Sequence, residues 1–297
     1  MTEGPLSGKF AIITGGGRGM GRAMARAFAE AGAAGICVTS GSSPDEIREA
    51  ADEIDRLSGR KGTGLAVTAD VRDASACAAA VEAAVARFGG LHILVNNAGL
   101  GMKNAQPEGA RGPFWKDLSD GWEKVMAVNI NGPFHMAKAA APHLIDAGWG
   151  RVINISKSID SMHEGRNSPY GPSKAAVEAM TISWAQDFLG TGVTVNTLLP
   201  GGFTATTFSR PGAVESARKA GRMVYEPDAI APLAAALASD ASARYSGCRF
   251  DARGWDASLP VEEAIERCRT LAIFPKPRRK RELLTGWEPL AGIPAAT

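Results

Sequence analysis

The sequence predicts an α/β protein: one doubly wound parallel sheet with helices on both faces, followed by a C-terminal extension. Three observations carry this. Short apolar runs alternate with longer stretches whose apolar residues recur at helical spacing. The runs are apolar on consecutive positions rather than alternately, as in strands buried on both faces. The first run leads directly into a glycine-rich turn, and a helical pattern follows at once.

Each element can be justified in order. FAIIT (Phe10–Thr14) reads as a buried strand. Met20, Ala23, Met24, Ala27 and Phe28 then line one helical face, and the pattern stops at Gly32. GICVTS (Gly35–Ser40) is a second strand, and SPDEIREAADEI opens a helix with start signals at Ser43 and Asp45. GLAVTADV, HILVNNAG, GRVINIS and GVTVNTLLPG supply four further strands, and YSGCRFDARGW (Tyr245–Trp255) the last. Helical stretches separate most of these runs. The crossovers should therefore be right-handed, with ligands outside the carboxyl ends of the strands. Leu100–Gly121 interrupts the alternation as a glycine- and proline-bearing loop, placed to overhang a site.

Composition narrows the function classes. The 297 residues carry a net charge of +2, so no global field points to nucleic acid or membrane. Cys37, Cys77, Cys248 and Cys268 are scattered, which fits reduced thiols in a cytoplasmic protein. His92, His135, His143 and His163 show no metal-ligand spacing, and no metal is expected. The start lacks the apolar core of a signal peptide, and no apolar run reaches membrane-spanning length. Five basic residues fall within Lys276–Arg281; a solvated tail accounts for them better than a nucleic-acid-binding arm.

The glycine-rich turn is TGGGRGMG (Thr14–Gly21). Glycines at 15, 19 and 21 let backbone approach a pyrophosphate, whose charge meets the N-terminus of the following helix. The spacing is GxxxGxG, which differs from the GxGxxG fingerprint. Further on, NNAG (Asn96–Gly99), YGPSK (Tyr170–Lys174) and PGG (from Pro200) follow in order. Together these four motifs, spread over roughly residues 6 to 254, resemble the classical short-chain dehydrogenase/reductase family.

The resemblance implies a Rossmann-type cofactor- and substrate-binding domain over residues 1–256, with a partly ordered extension over 257–297. It implies a nicotinamide cofactor held by Gly15, Arg18, Gly19, Met20 and Gly21 of the turn. Asp70 and Val71 would lie at the adenine, Asn97, Ala98 and Gly99 beside the fourth strand, and Pro200 and Gly201 by the nicotinamide. Asn97 is expected to brace the central strand and the turn more than to do chemistry, and Asp70 also reads as a plain turn residue. Ser40 stands where NAD-binding relatives carry an acid at the end of the second strand, and Asp45 is the nearest carboxylate in sequence. Without that acid, a 2′-phosphate is not repelled, and Arg18 is placed to pair with it. NADP(H) is therefore favoured, with NAD(H) possible.

Tyr170 and Lys174 are four apart and share one helical face. A neutral phenol already suits proton donation to a carbonyl oxygen. As a base it would need its pKa lowered by about 3 units, near 4 kcal/mol, much of which a neighbouring ammonium can supply. By resemblance, Lys174 also holds the nicotinamide ribose, and Asn129 in AVNINGPF belongs to a proton relay through Lys174. The family's carbonyl-polarising serine commonly lies about 13 residues before the tyrosine, which lands on Lys157. Ser158 is the first choice because it lies nearer the strand's carboxyl end; Ser156 is the second, and absence of the serine a third.

The expected function is an oxidoreductase that interconverts a ketone or aldehyde with an alcohol. An NAD(H)-dependent alcohol dehydrogenase is the alternative within the family. A cofactor-binding regulatory or scaffold protein without turnover is the alternative outside it. Phe114, Trp115, Phe203 and Phe208 are available as apolar walls for a small carbonyl or alcohol substrate. The resemblance further implies a homo-oligomer, a tetramer or dimer, paired through the helix bearing Tyr170, on which Val177, Met180, Trp184 and Phe188 follow.

Overall fold

The computed structural model describes residues 4–106, 112–116 and 120–273. The basic run at Lys276–Arg281 and part of the Leu100–Gly121 loop lie outside them. The first half alternates strictly: β1 (Phe10–Thr14), α1 (Gly19–Glu30), β2 (Gly35–Ser40), α2 (Pro44–Ser58), β3 (Gly64–Thr68), α3 (Ala74–Phe88) and β4 (Ile93–Asn96). Two short helices, α4 (Met102–Ala105) and α5 (Gly121–Met126), flank the overhanging loop. A π-helical turn (Ala127–Asn131) then joins α5 to α6 (Gly132–Asp146), which leads to β5 (Gly150–Ile155).

A one-turn helix, α7 (Ile159–Met162), precedes the long α8 (Tyr170–Asp187) and β6 (Val193–Leu199). The excursion after β6 carries β7 (Phe203–Thr204), α9 (Ala213–Lys219) and β8 (Val224–Tyr225), the two strands pairing in parallel. The chain closes with α10 (Ala231–Leu237), β9 (Arg249–Asp251), α11 (Val261–Cys268) and β10 (Arg269–Thr270).

The main sheet has eight strands in the order β10-β9-β6-β5-β4-β1-β2-β3. Seven pair in parallel, and β10 joins the edge of β9 antiparallel. This is a doubly wound, Rossmann-type single domain. The strand order reverses between β1 and β4, the crevice where such sheets bind ligands. The interior strands β4, β5 and β6 are buried along their whole length, as their continuous apolar runs require. One face packs Met24, Phe28, Ile47, Ile54, Leu233 and Leu237; the other packs Val81, Ala84, Met136, Leu144, Ile182 and Ala185.

Local signals set several boundaries. Asp73 caps α3 by accepting from the amides of Ser75 and Ala76, and Gly89 ends it in the left-handed region. Ser43 occupies the N-cap position of α2, but its side chain makes no capping bond. Its amide instead donates to Ser40 Oγ, as does that of Ser42. The sheet also recruits residues after 256: Ala264, Ile265 and Cys268 of α11 are buried, and β10 lies on the sheet edge.

Candidate active site

The turn after β1 is held in shape by its neighbours. Thr14 Oγ1 accepts from the amides of Asn97 and Ala98, each at 3.0 Å, and donates to the Val95 carbonyl. Asn97 Nδ2 donates to the carbonyls of Thr14 at 2.8 Å and Gly15 at 3.1 Å. Gly15 sits at φ +64°, and a Cβ there would press on Asn97 and Ala98. A Cβ at Gly21 would stand 2.2 Å from the Gly15 carbonyl oxygen. Thus α1 starts at Gly19 tight against β1, and Arg18 at its N-cap leaves the first amides without a side-chain cap. A close backbone turn ending in uncapped helix amides suits a pyrophosphate.

At the rim of this cradle, Arg18 Nη1 lies 3.4 Å from Glu46 Oε1, and both side chains are well exposed. Glu46 arrives from α2, whereas Asp45, nearer in sequence, pairs with Arg48. Ser40 Oγ accepts two amides, which leaves its own proton free to point elsewhere. Asp70 is close enough to Gly41 that a Cβ there would sit 2.9 Å from its Cα. Its carboxylate is gripped by Arg72, whose hydrogen bonds hold it below the ordinary aspartate range. The Val71 carbonyl faces His135 Nδ1 at 3.0 Å.

Across the crevice, α8 begins at Tyr170, so Tyr170 and Lys174 lie one above the other. Lys174 is buried, and its Nζ donates to the Ile155 carbonyl at 2.7 Å. Burial pushes its ammonium down to about 8, with the carboxylate of Glu178 pulling the other way. A Cβ on Gly99 would stand 3.9 Å from Lys174 Nζ and 3.4 Å from Asn129 Oδ1. The strand-4 motif, Asn129 and Lys174 therefore meet at one point.

Asn129 is fully buried within the π-helical turn. Its Oδ1 accepts from the Leu100 amide, and its Nδ2 reaches the Leu100 carbonyl and Ser173 Oγ. Ser173, which donates to the Tyr170 carbonyl, is a partner that motif spacing does not reveal. Behind these residues, Asn96, Asn154, Thr181 and Thr197 form a buried polar ladder linking β4, β5, β6 and α8.

The two serines differ in access. Ser156 Oγ is sealed from solvent and makes no regular hydrogen bond; it lies against Glu178, whose carboxylate it helps to stabilise. Ser158 is half-buried at the N-cap of α7, with its Oγ 2.7 Å from Ser161 Oγ. Lys157, at the counted serine position, turns its Nζ over the Tyr170 ring, 4.6 Å from the centroid, and donates to the Ser161 carbonyl.

The excursion after β6 brings one aromatic ring to Tyr170. Pro200 and Gly201 follow directly on that strand, and Phe208 packs on Tyr170 with ring centroids 5.3 Å apart. Phe203 meets Arg222 instead, and Phe114 and Trp115 are largely exposed and contact each other edge to face. Among the described residues no cluster could hold a metal ion, and no helix is long and apolar enough to cross a membrane.

Comparisons with known proteins identify the family and the fold. The family described as short chain dehydrogenase matches residues 9–214. A short-chain type dehydrogenase/reductase of Picea abies is 37% identical over 245 residues, covering 79% of this chain and 87% of that one. The D-threitol dehydrogenase of Mycolicibacterium smegmatis is 33% identical, covering 82% and 90% respectively. A solved dehydrogenase/reductase from Sinorhizobium meliloti 1021 superposes with a TM-score of 0.71 at 33% identity, over 83% of this chain and 94% of that one. Sequence, fold and the crevice between β1 and β4 thus lead to one conclusion: this chain belongs to the short-chain dehydrogenase/reductase family, nicotinamide-dependent oxidoreductases acting on alcohols and ketones.

Proposed function

We propose that the protein is an NADP(H)-dependent reductase or dehydrogenase in which Tyr170 is the acid/base for a ketone- or aldehyde-to-alcohol interconversion. The observation that carries this reading is the buried Lys174 ammonium on the helical face it shares with Tyr170. Residues fitted to hold the cofactor are Gly15, Arg18, Gly19, Met20, Gly21 and Ser40 at the first strand turn. Asp70 and Val71 complete its adenine side, Asn97, Ala98 and Gly99 lie between at the end of β4, and Lys174, Tyr170, Pro200 and Gly201 lie toward the reacting end. A bound nicotinamide brings hydride donation to, or withdrawal from, the substrate carbon.

The chain's own part is the proton and the oxygen. In the reducing direction Tyr170 donates its phenolic proton to the carbonyl oxygen, and the Lys174 charge favours the phenolate left behind. Ser158 donates a hydrogen bond to the same oxygen. The sealed hydroxyl of Ser156 supports this choice over its neighbour. Asn129, locked between Leu100 and Ser173, orders the polar surroundings of Lys174. Phe208 presents an apolar wall to the substrate side of Tyr170.

The preference for NADP(H) rests on Ser40 in the acid's place and on Arg18. The Arg18–Glu46 pair is exposed and worth less than about 1 kcal/mol, so a 2′-phosphate can displace it with a stronger, bidentate contact. A fluorescence titration with NADPH and NADH tests this directly. Tighter NADPH binding is expected; tighter NADH binding removes the specificity reading, and binding of neither removes the function. On any carbonyl substrate reduced, Tyr170→Phe should lower turnover by about 10²-fold or more, and near wild-type turnover would exclude Tyr170 as the acid. A dimer or tetramer paired through α8 is part of the same proposal, and light scattering on the purified chain tests it.

A further inference from the structure

Directly beneath Lys174 lies a charged pair that the proposed chemistry leaves unused. Glu178, one turn further along α8, meets Arg249 of β9 with Nε to Oε1 at 3.0 Å, and the two side chains are 3% and 6% exposed. Arg249 has two further partners. Its Nη2 donates to the Lys157 carbonyl at 2.8 Å, and its Nη1 donates to Thr270 Oγ1 at 3.0 Å on β10. A single guanidinium therefore joins the helix of Tyr170 and Lys174, the segment of Lys157 and Ser158, and the strand supplied by residues beyond 256.

We propose that Glu178 and Arg249 are positioning residues: the pair keeps Lys174 cationic beneath Tyr170 and pins the backbone of Lys157 and Ser158, with Thr270 as its outer clasp. This rests on the reading of Tyr170 and Lys174 given above. Among the described residues, few charges surround Lys174. Glu178 and Tyr170 face it from α8 and Arg249 stands behind Glu178 on β9, while Lys157 after β5 occupies the Tyr170 ring. The π-helical turn contributes the uncharged Asn129, and the end of β4 only the backbone of Gly99. Glu178 is thus the carboxylate that compensates the buried ammonium, and burial raises its own proton affinity against the opposing pull of Arg249. A buried ion pair contributes little net stability compared with apolar residues of the same volume. Its three-way hydrogen bonding is what apolar residues could not supply.

The test needs no substrate. The chain has three tyrosines, so subtracting a Tyr170→Phe counterpart isolates Tyr170 in a phenolate absorbance titration. In Glu178→Gln, Lys174 loses its counter-charge and releases its proton at lower pH, and Tyr170 then ionises without a cation. The Tyr170 midpoint should rise by about one pH unit or more relative to wild type. If Glu178→Gln does not fold, the double variant Glu178→Leu/Arg249→Met, which fills the space with apolar groups, is read in its place. An unchanged midpoint in a folded variant overturns the charge-holding role.

The tether has its own readout. In the double variant, tryptic cleavage after Lys157 should rise about tenfold relative to cleavage after the exposed Lys219. An unchanged ratio overturns it. An NADPH titration run alongside separates the two readings. Wild-type protein that binds NADPH, with variants whose midpoint is unmoved, loses only the positioning role. Protein that binds neither NADPH nor NADH, with a moved midpoint, loses only the cofactor reading.

Discussion

Arg18–Glu46 at the rim of the cradle and Arg249–Glu178 beneath Lys174 are the same chemical pair in opposite environments. The first lies in water at 3.4 Å, the second in the core at 3.0 Å. Water screens the rim pair and makes it easy to exchange for a ligand phosphate. The core pair has no solvent to fall back on, so each partner depends on the other. On the proposed reading, the exchangeable arginine stands where the cofactor phosphate would arrive and the committed one where geometry must not change.

Breaking the core pair from one side should have the largest effect. Arg249→Met leaves Glu178 buried without its partner and should lower stability by about 3–5 kcal/mol at pH 7, read by denaturant unfolding. Glu178 already has a raised proton affinity, and losing Arg249 raises it further. The deficit should shrink as the pH falls, because the protonated acid needs no partner.

Lys174 sharpens the comparison as a buried cation that is incompletely compensated. With its folded value near 8 against 10.5, the unfolded chain binds more protons between those values, so stability should rise with pH through that window. Lys174→Met should therefore stabilise the protein by about 3 kcal/mol at pH 7 while removing the proposed chemistry. That gain should disappear above about pH 10.5, as thermal melts across pH would show.

The rim offers smaller effects. Arg18→Ala should weaken NADPH binding about tenfold, leave NADH binding nearly unchanged, and alter stability little. Glu46→Gln should release Arg18 and tighten NADPH binding a few-fold, with a stability change under about 1 kcal/mol. A loss of NADPH affinity in Glu46→Gln would contradict the exchange described here.

The two regions also differed in how far the sequence disclosed them. The cradle was legible because its determinants are local: three glycines between a strand and a helix dictate a turn that larger residues cannot adopt. Tyr170 and Lys174 were legible because helical spacing alone stacks them. The Glu178–Arg249 pair was hidden, since 71 residues separate partners that only the sheet unites, with α8 packed on β6 and β9 paired beside it. Glu46 was missed at the rim for the same kind of reason: helix phase brings it, rather than Asp45, to Arg18. Nor did the apolar pattern disclose β10, a two-residue strand defined only by hydrogen bonding to β9. Between Ser156 and Ser158 the sequence offered position alone, whereas burial distinguishes a sealed hydroxyl from an accessible one.

The π-helical turn that carries Asn129 has a consequence of phase. A π turn holds one residue more than an α turn, and each helical residue advances the direction of the next by about 100°. Straightening Ala127–Asn131 to α geometry with all its residues kept would therefore rotate α6 by that angle relative to α5. Met136, Ala140 and Leu144, now in the core, would swing off their seats on the sheet. The irregular turn that presents Asn129 is thus geared to the packing of an entire helix, and cannot be straightened without dismantling one face of the domain.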